Sequence, residues 1–419
     1  MEVKTARRAW LRKALAGRWR DQSQRLTLID FEHVKPPATL LRWMWHGLGA
    51  DTHRKIYVAI GDGAEKFGGP GDVHLFRYDT ANGAKSYLGS IRQILSDLGN
   101  LGPTDQWDGQ EGIAKVHSDL LEHRGKLYFS THDLHTGDDP ATHRGGHLMS
   151  FDPQTGVFSD LTKRTPSGVA VENQGIITIN IIRSDNCLVG WTYPGGHVVL
   201  HDLDTGATTL CRRIGEGGEH FDVARVVIVT PGGDVFAAYT GEGAPKRLFK
   251  LDRDAGVLRP TAQRFRRGFF EGLAESPRWN SIFVADTDGQ LYSLDADTHK
   301  FKRLGSILPV KRTRRGERVT MLRNLTMSED EAKLFTIPRN TRFGMGRYHL
   351  FEYDIASGTR TDLGSLGPDL GGGMPTGNGV WDERGGFYLS CFFGRDGEIY
   401  DLPGKNAGLI RIDVADRIK

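Results

Sequence analysis

Histidine is concentrated in one part of the sequence. Six of the fifteen histidines fall within 31 residues: His117, His123, His132, His135, His143 and His147. His132 ends the apolar run "GKLYFSTH", and His147 follows two glycines in "HRGGH". If the two runs pair as antiparallel strands, we expect both side chains at one rim. Because the imidazole pKa lies near neutrality, such a pair suits general acid–base catalysis.

The next segment repeats this arrangement with other side chains. In "WTYPGGHVVLHD", Tyr193 occupies the strand-end position that corresponds to His132, and His197 the one that corresponds to His147. Tyr239 ends a similar run further on, "AAYTG". We therefore expect histidine and tyrosine from neighbouring units at one mouth. His197 and Tyr239 are candidates either for substrate contact or for packing.

Arginines follow these runs and are candidates for binding a carboxylate. Arg212 and Arg213 close the hairpin after His197, and Arg267 lies in "RFRRGFFEG". A guanidinium binds a carboxylate through two parallel hydrogen bonds. The sequence carries no phosphate-binding loop, dinucleotide-binding glycine motif, HExxH zinc motif or GxSxG nucleophile motif. Histidine, tyrosine and arginine together fit β-elimination at a uronic acid, where a base removes the C5 proton, an acid protonates the leaving O4, and arginine offsets the enolate charge.

An internal repeat predicts the fold that positions these residues. Seven copies of an alternating strand end in an aspartate, followed by a turn and a second strand. The markers are Asp79, Asp152, Asp202, Asp252, Asp295, Asp354 and Asp413. Period-2 alternation and turns of the Thr/Ser-Gly type predict β-hairpins. Repeated hairpins that stack radially predict an all-β fold, a seven-bladed β-propeller.

The repeat also predicts the domain organisation. We expect a single propeller domain over residues 25–419, with the run "RLTLIDFEHV" completing the last blade and closing the ring. Residues 1–24 are predicted to form a short basic amphipathic helix, because Trp10, Leu11, Leu15 and Trp19 recur at helical spacing. The marker aspartates lie 43 to 73 residues apart, which indicates enlarged loops on one face.

Composition excludes several classes of protein. Glycine, at 54 residues against 17 prolines, favours many tight turns over long helices. No apolar stretch approaches the roughly 20 residues of a membrane span, so we expect no membrane contact. The 55 Lys and Arg nearly balance the 52 Asp and Glu, so no overall charge favours nucleic acid. Three dispersed cysteines and the lack of an export signal predict a cytoplasmic location.

The motifs around these residues resemble those of seven-bladed propeller polysaccharide lyases, the ulvan lyases and rhamnosyl-glucuronate lyases. The resemblance lies in "GKLYFSTH", "HRGGHLMSFDPQTG" and "GWTYPGGHVVLHDLDTG". It implies that His147 and Tyr193 are base and acid, in either assignment. It also implies that His132 with Arg212 or Arg213 binds and neutralises the carboxylate, with Arg267 as a weaker second contact. The implied substrate is a uronate-containing oligo- or polysaccharide, with no cofactor required.

Other functions fit the same residues. One is a non-catalytic propeller that binds a sugar or a protein. Another is a metal-dependent oligouronate lyase that holds a divalent metal near the six clustered histidines, which belong to the second predicted blade. A third is a glycosidase on the same scaffold. Unsaturated product, chelator sensitivity and release of reducing ends distinguish them.

Overall fold

The chain folds mainly as short antiparallel strands. The structure, a computed structural model, describes residues 26–37, 39–63, 71–101, 113, 115–132, 144–213, 221–241, 246–265, 270–308, 320–340, 349–365, 373–395, 398–399 and 407–414. The helix predicted over residues 1–24 lies outside these ranges. The side chains of several strand-end residues, Arg213 and Tyr239 among them, also lie outside the description.

The marker aspartates shape the hairpin turns. The Asp152 carboxylate accepts hydrogen bonds from the backbone N–H groups of Gln154, at 2.9 Å, and Thr155, at 3.2 Å. These bonds, Gln154 first, hold the pKa of Asp152 below its ordinary value. Gly156 then takes a φ of 72°, which glycine adopts without steric cost. The bond from the turn to the aspartate recurs at Asp79, Asp202, Asp252, Asp295 and Asp354.

The described strands are numbered in chain order. They are β1 (Leu26–Ile29), β2 (Leu48–Ala50), β3 (Ile56–Gly61), β4 (Val73–Tyr78), β5 (Lys85–Ser90), β6 (Lys115–Val116), β7 (Leu121–His123), β8 (Lys126–His132), β9 (Leu148–Asp152), β10 (Val157–Asp160), β11 (Gly175–Ile182), β12 (Cys187–Tyr193), β13 (Val198–Asp202), β14 (Thr208–Arg213), β15 (Phe221–Val229) and β16 (Val235–Gly241). They continue with β17 (Lys246–Asp252), β18 (Val257–Phe265), β19 (Phe270–Ser276), β20 (Ser281–Asp286), β21 (Gln290–Asp295), β22 (Phe301–Ser306), β23 (Thr320–Met321), β24 (Thr326–Met327), β25 (Lys333–Thr336), β26 (Arg339–Asn340), β27 (His349–Asp354), β28 (Arg360–Ser365), β29 (Gly373–Trp381), β30 (Gly386–Arg395), β31 (Glu398–Ile399) and β32 (Gly408–Asp413). One α-helix, α1 (Ile91–Asp97), and a short 3₁₀ turn at Arg183–Asp185 are the helical elements of the described residues.

The strands form antiparallel sheets arranged like the blades of a propeller. Three sheets have four strands: β2-β3-β4-β5, β19-β20-β21-β22 and β24-β25-β27-β28. Two have five: β6 to β10, with both β6 and β7 on β8, and β1-β32-β30-β29, with β31 on β30. An eight-stranded sheet contains β11 to β18, and β23 pairs with β26. The chain is therefore all-β, as the repeat predicts.

The prediction of seven separate blades differs from the sheets observed. In the described residues, five sheets of four or five strands stand as separate blades. The difference arises where the outer strands β14 and β18 meet in parallel, with Arg212 opposite Val257 and Arg213 opposite Leu258. These pairs join two four-stranded meanders into one hydrogen-bonded sheet.

The first strands of the sheets lie at the centre, where they contact one another. Such contacts join β2 with β7 and β29, β11 with β7 and β15, and β19 with β15, β24 and β29. The first described strand, β1, pairs with the last, β32, with Leu26 opposite Ile412. Apolar clusters fill the spaces between consecutive units, such as the one around Trp191 and Val235.

One connection between the sheets contains a helix. Helix α1 follows the outer strand β5 and is capped by the Ser90 side chain, which accepts from the Gln93 N–H at 3.1 Å. Its Ile91 and Leu95 are buried. Among the described helices, none has the length and apolarity that crossing a bilayer requires.

Candidate active site

His132 and Tyr193 meet at the ends of two neighbouring second strands. Both lie four residues beyond matching cross-strand pairs, Tyr128 with Ser150 and Val189 with Leu200. The two ring centroids are 5.7 Å apart, and the ring planes are perpendicular. His132 is buried and Tyr193 is half-buried. The structure thus brings together two of the predicted catalytic residues.

The backbone leaves room for this contact because glycine lies opposite Tyr193. Gly175 is the first residue of β11 and the cross-strand partner of Tyr193. A Cβ at Gly175 would lie 2.0 Å from Nδ1 of His132. Any other residue would therefore displace the imidazole.

His117 extends the pair toward the centre of the molecule. Its ring centroid lies 6.0 Å from that of His132, edge to face, and His117 is buried. On its other side it stacks on Trp45, with centroids 5.7 Å apart. We call His117, His132 and Tyr193 the histidine–tyrosine row. From the sequence, His117 is only one of six clustered histidines, because β6, the strand that it directly follows, is too short to recognise from its pattern.

His147 lies near His132 along the backbone but on the other face of the sheet. The His147 carbonyl accepts from the Thr131 N–H, which places His147 opposite Thr131, the neighbour of His132. Because successive strand residues point to opposite faces, the two histidine side chains diverge. The expectation that strand pairing brings the two side chains together is therefore wrong.

The His147 side chain is fully buried and held by polar groups. Its Nδ1 lies 3.3 Å from the Asp160 carboxylate and 3.4 Å from the Asn100 amide nitrogen. Burial raises the pKa of Asp160, but hydrogen bonds and charge from His147, with hydrogen bonds from Thr162 and Asn100, outweigh it and lower the pKa overall. Nε2 of His147 is buried and has no hydrogen-bond partner among the described residues. This environment is typical of an oriented imidazole rather than of one open to substrate.

His197 directly precedes β13, just as His147 directly precedes β9. It lies opposite Thr192, whose hydroxyl accepts from the His197 N–H at 3.0 Å. Two residues before His197, the Gly195 N–H donates to the side-chain oxygen of Gln174 at 2.6 Å. By the same alternation, His197 and Tyr193 point to opposite faces of the sheet. His197 itself is half-buried.

The remaining predicted residues are not brought to the row by the described geometry. Tyr239 is three residues beyond the pair Phe236–Lys250, so Thr240 rather than Tyr239 has the register position of His132 and Tyr193. Arg212 is exposed on β14, two strands away from Tyr193. The side chains of Tyr239 and Arg213, and all of Arg267, lie outside the described residues.

A cluster of charged side chains lies beside the row at the centre of the molecule. Nδ1 of His46 lies 3.2 Å from the Asp119 carboxylate, and its Nε2 lies 4.0 Å from the carboxylate of Glu271. Glu271 also pairs with Arg323, and Asp119 accepts from the Asn378 amide at 2.7 Å. We call these five residues the axial cluster. Sequence reasoning missed all of them, because they come from five separate segments.

Burial and charge act in opposite directions on His46. Its burial alone lowers the pKa, but the charge and hydrogen bonds of Asp119 and Glu271 outweigh this and raise the pKa to about 9. His46 is therefore a cation at neutral pH.

A metal site is not evident from the described geometry. Within the described part of the chain, no group of three or more His, Cys, Asp or Glu side chains is arranged to hold a metal ion. Of the clustered histidines, His135 and His143 lie outside that part. His123 is buried, with its Nε2 2.9 Å from Oδ1 of Asn186, so it belongs to the packing of the sheet.

Comparisons with known proteins concern the fold. No family model matches the chain, and no curated protein matches its sequence. Among solved structures, a chain of the mitotic checkpoint complex is 12% identical, with a TM-score of 0.51 and coverage of 94% of this chain and 93% of that one. A Bacteroides uniformis protein provisionally named a 6-phosphogluconolactonase is 13% identical, with a TM-score of 0.47 and coverage of 81% and 95%. At these identities the likeness extends to the propeller-like fold alone.

Proposed function

We propose that the protein is a lyase that cleaves a uronate-containing oligo- or polysaccharide by β-elimination. The observation that carries the proposal is the contact between His132 and Tyr193, at equal register positions of two neighbouring units. Imidazole and phenol are the two groups that proton removal at C5 and protonation of O4 need. The resemblance to propeller polysaccharide lyases implies both residues at the site, with Tyr193 as acid or base and His132 as a carboxylate contact, so the proton-transfer role of His132 is our own assignment.

The proposed reaction transfers two protons and breaks one C–O bond. A base takes the C5 proton, the electron pair forms the C4–C5 double bond, and the C4–O4 bond breaks while an acid protonates O4. We assign these transfers to Tyr193 and His132, in either order, because Tyr193 is half-buried and His132 is its direct neighbour. His147 is fully buried against Asp160, so we assign it an orienting role at the end of β8.

Charge neutralisation requires a cation near the uronate carboxylate. Arg212, Arg213 and Arg267 remain proposed contacts from the sequence, together with His197 and Tyr239. Among the described side chains, Arg323 lies near the row, with its guanidinium 5.2 Å from the Trp45 ring centroid. Trp45 in turn stacks on His117. Arg323 is ion-paired with Glu271, so we assign the offset of the enolate charge to the arginines proposed from the sequence.

A second candidate function is a non-catalytic binding propeller. It is favoured by a cavity of about 390 Å³ lined by Leu48, Leu120, Asp119 and Trp381. Leu48 begins β2, Trp381 ends β29, and Asp119 and Leu120 directly precede β7. His132 and Tyr193 lie instead beside Lys115, at the start of β6, and Gly175, at the start of β11. Neither His132 nor Tyr193 lines the cavity, so a ligand there would contact the axial cluster through Asp119 rather than Tyr193.

The experiment is an assay for unsaturated product with oligosaccharides that contain glucuronate, iduronate or galacturonate. A lyase raises the ultraviolet absorbance of the 4,5-unsaturated uronate, and His132→Gln lowers kcat by about 10² to 10⁴. His123→Gln is the matched control, because His123 is a buried histidine that does not contact the row. Binding of an oligosaccharide without product, unchanged in His132→Gln, would support the binding propeller instead. Loss of activity with a chelator would point to the metal-dependent lyase, and new reducing ends without unsaturation to a glycosidase.

We also propose that the ring has seven blades, with the eight-stranded sheet counted as two. Two observations support this count. The first strands β2, β7, β11, β15, β19, β24 and β29 contact one another in a closed cycle. Seven apolar clusters lie between consecutive units of the described chain.

A cytoplasmic location remains our proposal for the compartment. Cys187 and Cys211 are buried free thiols, as is usual for proteins of a reducing environment. Burial raises the pKa of the Cys187 thiol to about 11, which keeps this thiol unreactive.

A further inference from the structure

The axial cluster places two ion pairs where the central strands meet. His46 precedes β2, Asp119 lies between β6 and β7, Glu271 is in β19, Arg323 precedes β24, and Asn378 is in β29. The side chains of His46 and Glu271 are 2% and 1% exposed, so both charges are almost completely removed from water. Burying an ion pair costs several kcal/mol in desolvation per ion, and the attraction repays this cost only with good geometry and further hydrogen bonds. A hydrophobic axis would be a simpler way to stabilise the ring.

The backbone of His46 carries a second cost. His46 has a φ of 52°, in the left-handed region that non-glycine residues seldom adopt. The Ser390 hydroxyl donates to the His46 carbonyl at 2.5 Å, and the Thr376 hydroxyl donates to the Met44 carbonyl at 3.2 Å. Such strain persists only where the surrounding structure enforces it, and it is one mark of functional sites.

His46 is directly connected to the histidine–tyrosine row. Its ring stacks on His117, with centroids 5.8 Å apart and planes at 24°. His117 contacts His132 edge to face, and His132 contacts Tyr193 in the same way. Four aromatic rings in successive contact, those of His46, His117, His132 and Tyr193, therefore connect the axial cluster with the half-buried tyrosine.

We propose that His46 is a positioning residue for this row. Held in place by Asp119 and Glu271, it orients the His117 ring and disfavours a positive charge on that ring. In this way it determines the orientation and charge of the ring that His132 contacts while facing Tyr193. The inference rests on the proposed function for its link to catalysis, but the effect of His46 on His117 is a property of the folded protein alone.

Electrostatics supply the physical reason. With His46 charged, a second positive charge on His117 would lie beside it in a buried site, where water screens poorly. The charged groups that face His46 are Asp119 from the β6–β7 connection and Glu271 from β19. Arg323 reaches it through Glu271, and Asn378 adds a neutral hydrogen bond to Asp119. Lys115, two residues before His117, lies with its Nζ 5.2 Å from the Trp43 ring centroid. Neutral His117 can then donate one hydrogen bond and accept one, which keeps the row available for proton transfer.

The first test uses the unaltered protein. Imidazole ¹⁵N spectra, assigned with single His→Gln variants, report the protonation of His46, His117 and His132 between pH 5.5 and 9.5. The proposal predicts that His46 stays protonated through pH 8 while His117 is neutral at pH 7. A neutral His46 at pH 7, or a protonated His117 beside it, would overturn the proposal, and neither result depends on finding a substrate.

The second test removes the charge of His46. In His46→Gln we expect the titration midpoint of His117 to rise by about one pH unit, since a nearby like charge shifts a pKa by an amount of that order. Asp119→Asn keeps the side-chain volume, lowers the protonated fraction of His46, and should move His117 in the same direction. His123→Gln is the control and leaves the His117 titration unchanged. Equal midpoints in wild type, His46→Gln and Asp119→Asn would contradict the proposal.

Activity adds an independent readout once a uronate substrate is known. The acidic limb of the kcat profile should move toward higher pH in His46→Gln, by the same amount as the His117 titration, with KM changed less than twofold. A uniform loss of kcat at every pH would indicate a merely structural role and count against the inference. If every uronate oligosaccharide is inert, the proposed function fails, while the imidazole titrations still decide the role of His46.

Discussion

The hairpin turns at the outside of the sheets and the strand ends at the centre differ in how strictly they repeat. At the turns, an aspartate accepts backbone hydrogen bonds in copy after copy, as at Asp152, Asp202 and Asp354. At the ends of the second strands, the matching positions hold His132, Tyr193 and Thr240. A turn needs the same local geometry each time, whereas a position near the centre faces different neighbours in each unit. Repetition therefore marks the framework, and departure from it marks candidate chemistry.

The largest expected effect concerns the central charges. Arg323→Met removes the nearer of the two cations beside Glu271, a carboxylate that is almost completely buried, and should lower the free energy of unfolding by about 3–5 kcal/mol. Urea denaturation measures this loss. The double variant Glu271→Gln/Arg323→Met leaves no unpaired charge and should recover much of the stability. A loss below about 1 kcal/mol in Arg323→Met would mean that the central ion pair contributes no more to stability than an ion pair at the surface.

The second prediction is a loss of stability at alkaline pH. The pKa of His46 is raised from 6.5 to about 9 on folding, so its contribution is fully present below pH 6.5 and is lost as the pH rises through 9. The full loss is about 3 kcal/mol, from about 1.4 kcal/mol per unit of pKa difference. His74 and His201 have lowered pKa values and titrate below this range. Urea denaturation at pH 6.5 and pH 9.5 measures the change, and His46→Gln should flatten it.

The smallest effect concerns the turns. Gly156 has a φ of 72° and no atom within 4 Å of where its Cβ would be, so Gly156→Ala adds strain without a clash. We expect a cost of about 1 kcal/mol, measured by thermal or urea unfolding. The fifth hairpin already carries His299 at φ 55° in the same place, and His299→Gly relieves that strain but removes its ion pair with Asp234. A Gly156→Ala variant as stable as wild type would show that these turns tolerate any residue.

Much of the framework could be predicted from the sequence because the turns report on local geometry. Marker aspartates and the glycines after them identify hairpins, and their number and spacing indicate a propeller-like fold. The sheet boundaries could not be predicted, since the parallel contact of Arg212 with Val257 joins strands that are far apart in sequence and carries no local pattern.

The site could be predicted in part for the same reason. Tyr193 and His132 follow from alignment of the repeats, and the structure brings them into contact. The expectation for His147 is wrong because His147 lies opposite Thr131, one residue before His132. Adjacent residues of a strand point to opposite faces, so the His147 imidazole lies on the other face of the sheet. His46 and Glu271 were out of reach, since only the closed ring brings such distant segments together.

The central claim is that the half-buried tyrosine beside His132 takes part directly in proton transfer. The most direct test is the rate of unsaturated-product formation by wild type, Tyr193→Phe and the His123→Gln control on the same uronate oligosaccharide. We predict that Tyr193→Phe, which removes only the hydroxyl, lowers kcat by about 10² to 10⁴ while His123→Gln stays within a few-fold of wild type. Tyr193→Phe with the wild-type rate, or no unsaturated product from any uronate linkage, would contradict the claim.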